Sequence, residues 1–260
     1  MLLRRFTAAI RRQDWFQVLV EILIVVAGIL IALQVDNWNE ERKARQQGEL
    51  WRLQIIADLE QSIRDLQARR IYYGQALRFG EAALAAIEAP DPPTGEAVWD
   101  TVLGAFQAGQ IWPYQLTGPS YREVQSEGSL GLIGSQEAQA ALALVYDVSA
   151  YENELVTGGL PPFRGMIRER LSWPIQKHIW ASGCQLGTGM TGTSPPDPFR
   201  LVRCDPPADQ QALLEALQQM RDDVELQRSL RGRLSQLEIS VSSTARRIER
   251  VRGAIALLQS

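Results

Sequence analysis

The chain has 260 residues, with 27 Lys+Arg against 30 Asp+Glu and one histidine, a formal net charge of −3. Setting aside Arg4, Arg5, Arg11, Arg12, Asp14 and Glu21, residues 36–260 hold 23 basic and 28 acidic side chains. That balance argues against a nucleic-acid partner, which needs a concentrated positive face. The length accommodates a membrane anchor plus one soluble domain of about 220 residues, enough to bury a core without metal or disulfide support.

Residues 22–33 form an unbroken apolar run, Ile-Leu-Ile-Val-Val-Ala-Gly-Ile-Leu-Ile-Ala-Leu. Extended outward to Trp15 and Trp38, the segment makes a helix of about 35 Å, enough to cross a hydrocarbon core of roughly 30 Å with a tryptophan anchored at each interface. A cleaved signal peptide also starts with charge and an apolar block. No small-x-small site follows Leu33, however, and Glu21 is a poor guest in such a block, so an uncleaved span over 15–38 is expected behind a short cytoplasmic tail, 1–14. Glu21 falls roughly 7 Å inside the lipid boundary, where an ionised carboxylate costs on the order of 2–3 kcal/mol. It shares a helical face with Val25, Gly28 and Ala32, and Gly28 with Ala32 makes a small-xxx-small surface for another helix. The acid is read as a proton-linked or partner-recognising group, or as a side chain reaching the headgroups beside the arginines.

Arginines flank the span on one side and Arg42, Lys43, Arg45 and Arg52 on the other, so charge alone leaves the orientation tied. Cys184 and Cys204 bracket a stretch rich in Gly, Thr and Pro. A disulfide there closes a loop worth about 3 kcal/mol and persists only outside the cytosol, whereas two unrelated buried thiols carry no such implication. With the disulfide, residues 39–260 form an extracytoplasmic domain.

Beyond Trp38, apolar residues at Leu53, Ile56, Leu59, Ile63, Leu66, Tyr73, Leu77, Leu84 and Ile87 recur at helical steps. They predict a long helix over 39–88, continuous with the span, bending at Gly48, Gly74 or Gly80 and stopped by Pro90, Pro92 and Pro93. Shorter helices are expected within 94–181, at Glu96–Gln107, Tyr121–Glu127, Ser135–Val156 and Pro162–Trp180, and a loop over 182–207. A second long helix over 208–259 slips phase between Val224 and Leu230. No segment reads as a useful strand. The expected class is all-α, an antiparallel hairpin of two long helices with shorter ones inserted between them.

Catalytic signals are sparse. Gly187 to Gly192 matches Gly-x-Gly-x-x-Gly, but Cys184 precedes it and Pro195 and Pro196 follow, where a dinucleotide site needs a strand and a helix. His178 has no evident triad partner, and with the two cysteines it lacks a compact zinc-ligand spacing. Asp222 with Asp223, and Glu40 with Glu41, read as solvated helix faces. Apart from Lys43 and Lys177 every basic side chain is arginine; these are scattered along the chain and read as a compositional bias. No metal, cofactor or enzymatic activity is expected.

The stretch Glu21–Lys43, Glu-Ile-Leu-Ile-Val-Val-Ala-Gly-Ile-Leu-Ile-Ala-Leu-Gln-Val-Asp-Asn-Trp-Asn-Glu-Glu-Arg-Lys, resembles the hallmark of a family of bacterial single-span membrane proteins with a domain of unknown function. Tyr121–Ile133, with Ser126, Gly128, Leu130 and Ile133, is similar to that family's second motif. Tyr146 and Tyr151 stand where its paired tyrosines are expected, here separated, and Glu127 replaces a small residue before Gly128. The resemblance implies a membrane-anchored helical protein of bacteria, which with the disulfide reading places the span in the inner membrane and the head in the periplasm, and it supplies no reaction. The leading expectation is therefore a helical interaction protein, a homo-oligomer or the associate of another membrane protein. The alternatives are a proton-linked accessory subunit using Glu21 and a ligand-sensing bundle that signals through a partner.

Overall fold

No proline occurs between residues 15 and 88, and the chain there forms one helix of 74 residues, α1 (Trp15–Glu88), about 110 Å long. The computed structural model describes residues 15–112, 116, 118–148, 160–187 and 199–260. The tail 1–14, Tyr151 and the glycine-rich residues 188–192 lie outside the described residues, as does the Trp15 side chain. The described chain is all-α: α2 (Glu96–Ala108), α3 (Pro119–Ser126), α4 (Gln136–Ala143), α5 (Pro162–Arg170), α6 (Trp173–Ala181), α7 (Gln210–Asp222) and α8 (Val224–Gln259) follow α1. The most extensive packing joins α8 to α1, with α2 next along α1.

Helix α1 runs through all three glycines proposed as bends, two of which are points of close approach. A Cβ at Gly48 collides with the Leu132 carbonyl oxygen, and one at Gly80 lands 2.6 Å from Leu234 Cδ2 and 2.8 Å from Ala108 Cβ. Gly80 therefore sets how closely α1, α2 and α8 approach one another. At Gly74 the nearest atom is the mobile tip of Arg78, at 3.6 Å.

Three predicted elements break where the sequence suggested continuity. The helix expected over Pro162–Trp180 divides at Leu171 and Ser172, both extended, because the ring of Pro174 in the first turn of α6 excludes a helical bond to Arg170. The second long helix divides at Asp223, upstream of the phase slip. Its backbone is extended (φ −90°, ψ 90°), and its carboxylate accepts from Glu225 N (3.0 Å) and Leu226 N (2.8 Å) to start α8 while pairing with Arg170 Nε at 2.9 Å. Asp223 is a cap, not part of a solvated face. Ser135 caps α4 through Ala138 N as its position suggests, but the regular helix ends at Ala143 and a π-turn covers Leu144–Val148. Gln185–Leu186 and Arg200–Leu201 add a small antiparallel pair, β1 and β2, that the sequence did not suggest.

The α1–α8 seam follows a heptad-like spacing of buried positions. Buried positions in α8 step by four and three through Leu226, Leu230, Arg233, Leu237, Ser240, Thr244, Arg247, Val251, Ala254 and Leu258, with Ile248 buried beside Arg247. Those of α1 follow Ile55, Leu59, Ser62, Leu66, Arg69, Tyr72, Ala76, Gly80, Ala83 and Ile87, the register shifting by one residue at Tyr72, with Asp65 buried beside Leu66. Leu53, expected to face inward, is 55% exposed. The seam is apolar at both ends and polar in the middle. One core gathers Trp99, Phe106, Phe163, Ile175, Met220 and Leu230, and another Trp51, Ile55, Leu59, Tyr121, Ile133 and Leu258. Between them a thin waist is built on Tyr72, Trp112 and Leu237.

These packings separate glycines that look alike in sequence. Gly80→Ala should destabilise the protein by about 1–3 kcal/mol in urea unfolding. Gly74→Ala, in open surroundings, should stabilise it by about 0.5–1 kcal/mol by removing backbone freedom from the unfolded chain. Asp223→Ala should cost about 1–2 kcal/mol. The Leu226 amide, then Arg170 and the Glu225 amide, hold the Asp223 carboxyl below its usual range, so its contribution is present above about pH 4 and disappears as pH falls through the lowered folded value. The stability gap between wild type and Asp223→Ala, followed by denaturant titration from pH 7 to pH 3, should close only in acid.

Candidate functional site

Side chains from Leu19 to Val35 protrude from α1 on every side, and no residue from Leu19 to Gln47 is buried. Within this stretch the mean hydropathy over an 18-residue window reaches 2.4. Length and composition suit a bilayer crossing. Glu21, Val25, Gly28 and Ala32 are exposed, and a Cβ at Gly28 meets nothing within 4 Å, so the small-residue face is open. Trp38 is also exposed. From Trp38 to Gly48, which abuts Leu132, α1 runs roughly 15 Å with no buried residue among positions 38–47.

The structure brings Cys184 and Cys204 together as a disulfide with Cα atoms 4.9 Å apart, at the base of the β1–β2 pair. The linkage is seated on α2. Gln107 Nε2 donates to Cys184 O at 2.8 Å, Trp99 Nε1 donates to Cys204 O at 2.7 Å, and Arg203 pairs with Asp100 (2.6 Å) and Glu96 (2.8 Å). His178 lies beside it, its Nε2 2.7 Å from Asp205 O and its ring edge-on to Trp99. Ser182 Oγ lies 3.2 Å from its Nδ1, one turn along at the end of the same helix, and with Asp205 O and Trp99 these partners give His178 a packing role. Among the described residues no group of three or more His, Cys, Asp or Glu has the arrangement to hold a metal ion.

The segment Tyr121–Ile133 packs against α1. Tyr121 stacks on Tyr146 with centroids 4.6 Å apart, Ser120 N donates to Asp58 Oδ2 at 3.2 Å, and Val124 and Ile133 are buried against the Trp51–Leu59 stretch of α1. Gly128 takes φ +69° in the turn that ends α3, a conformation the residues before it do not share.

What sequence reading missed is the use of arginine at helix ends. The last turn of α1 holds no cation, and Arg221 of α7 reaches across to donate to two of its terminal carbonyls, Ala86 (3.2 Å) and Ile87 (3.1 Å), and to two just past its end, Ala89 (2.9 Å) and Pro90 (3.3 Å). Arg233 in the seam donates to Ala108 O (2.9 Å) and Gln110 O (2.8 Å) at the end of α2, and Arg164 to Gly109 O (3.0 Å) and Gln110 Oε1 (2.9 Å). Arg69, from α1, lies 4.4 Å over the Trp112 ring, and Tyr73 donates to Trp112 O at 3.0 Å. Burial, followed by the neighbouring Arg168 guanidinium, pulls Arg164 down to about 10, and burial lowers Arg233 as well. Both remain charged at neutral pH. The waist is thus a cation–aromatic cluster with structural work, and its signal in the sequence was an arginine on the heptad register.

No family model, no curated protein and no solved structure matches the chain.

Removing the Arg233 side chain leaves two buried carbonyls without donors. Arg233→Ala should therefore cost about 2–4 kcal/mol in equilibrium unfolding, and Arg233→Lys should recover less than half of it, because one ammonium cannot reproduce the planar fork.

Proposed function

We propose that this chain is a non-enzymatic, single-span membrane protein of the bacterial inner membrane whose helical head, residues 39–260, stands in the periplasm and serves as an interaction platform. The observation that carries the reading is α1 itself. One unbroken helix is bare and apolar from Leu19 to Val35 and closely packed beyond Gly48, so the part that water would reject and the part that forms a core are covalently one rod. The disulfide supports an oxidising compartment for the head. The open Gly28–Ala32 face supports association of spans through close helix contact. The likeness of Glu21–Lys43 to the hallmark of bacterial single-span proteins points the same way.

Two measurements test this reading. The full chain should stay with membranes after carbonate washing, and Cys184 and Cys204 should react with an impermeant maleimide on intact spheroplasts only after reduction. A soluble protein, or thiols that react only after lysis, would falsify the anchored, periplasmic arrangement. Gly28→Ile should weaken span association at least about fivefold in a membrane two-hybrid reporter, with Glu21→Gln separating a carboxylate contribution from the packing one.

A further inference from the structure

On the outer side of the waist, α1 and α8 leave a groove between them, two adjoining depressions of about 540 and 350 Å³ that share Gln67 and Arg70. Its rim carries Arg70 and Arg78 from α1 and Arg246 and Arg252 from α8, against one carboxylate, Glu249. Glu249 is engaged with Arg252 at 2.6 Å, and no described carboxylate pairs with Arg70, Arg78 or Arg246. These arginines lie some 170 residues apart in sequence, and the heptad register brings them onto one side, so the reading of the arginines as scattered does not hold in space. The floor is apolar and low: Ile71, 59% exposed, with Gly74, Val241 and Ala245. The local charge is strongly positive in a chain whose overall charge is −3.

We propose that this groove docks an acidic amphipathic helix from a partner protein. Charge complementarity selects the sign, since three unneutralised guanidinium groups face solvent together and repel any basic segment. The floor selects the class. An exposed isoleucine beside a glycine gap gives nothing to a polyphosphate or an acidic glycan, whereas an apolar side chain of a helix fills the gap and covers the isoleucine. The dimensions agree. From Gln67 to Arg78 the groove runs about 16 Å, or two to three turns of a third helix lying along the pair, with apolar residues at three- and four-residue spacing inward and Glu or Asp on both flanks. This inference depends on the α1–α8 packing alone and stands whether or not the spans associate.

The test uses the full chain in detergent and a fluorescein-labelled synthetic helix of 14 residues, with leucines on one face and glutamates on both flanks. Fluorescence anisotropy should show saturable binding that weakens at least about tenfold between 50 and 300 mM salt and about tenfold in the Arg70→Glu/Arg246→Glu variant. Ile71→Asp should also weaken it by at least about fivefold. Exchange of the peptide's glutamates for glutamine should abolish binding, while Arg122→Glu, on α3 and outside the groove's lining, should leave it unchanged. All these positions are on exposed helix faces, and circular dichroism and melting confirm that the variants fold. Binding indifferent to Arg70 and Arg246 overturns the proposal. So does preference for inorganic polyphosphate with no dependence on Ile71, which assigns a general polyanion site, and so does cross-linking through an Ile71→Cys variant that yields only self-dimers.

Discussion

Donation to the carbonyl ends of helices by side chains from other helices is the interaction on which this architecture rests. A hairpin with short helices folded into it has many helix ends inside its own core, and every end exposes carbonyl groups without intrahelical donors. Guanidinium groups at Arg221, Arg233 and Arg164 serve α1 and α2. Amides serve two more ends: Gln176 Nε2 donates to Arg168 O and Leu171 O at the end of α5, and Gln227 Nε2 to Met220 O and Arg221 O at the end of α7. The arginine caps tie together elements distant in sequence and the amide caps join consecutive helices, so the chain turns and the tertiary contacts are stabilised by the same kind of hydrogen bond.

That requirement explains why the coiled-coil seam changes character along its length. Its apolar ends bury large side chains, including Trp99, Phe106, Trp51 and Tyr121, and supply most of the hydrophobic driving force. Its middle gives up leucine for Arg69, Arg233, Ser240, Thr244 and Arg247. Polar residues at heptad positions sacrifice some stability and fix the register of the two helices. The register in turn decides which outward-facing residues of α1 and α8 become neighbours, and it is what gathers the arginine-lined groove.

Much of this was legible in the residues. The spacing of apolar positions after Trp38, the stop at Pro90 and the cap at Ser135 all follow from local rules that act within a turn or two. The seam was harder, because a scan for apolar periodicity passes over Ser62, Arg69 and Arg233 and picks the neighbouring stripe through Leu53 instead. Asp223 reads as surface charge until its extended backbone shows it ending one helix and starting the next. The glycines illustrate the remaining limit: Gly48, Gly74 and Gly80 are equivalent in a helical pattern, and only the arrival of Leu132, Ala108 and Leu234 from elsewhere distinguishes them. The groove lay beyond sequence reading for the same reason.

The unbroken course of α1 has a mechanical consequence. A rod with no joint between its lipid-compatible end and its far tip acts as a lever: over the roughly 75 Å from Trp38 to Glu88, a tilt of about 10° at the base sweeps the tip sideways by about 13 Å. Rotation about the long axis is passed on in full, turning whatever the head presents toward or away from a neighbour.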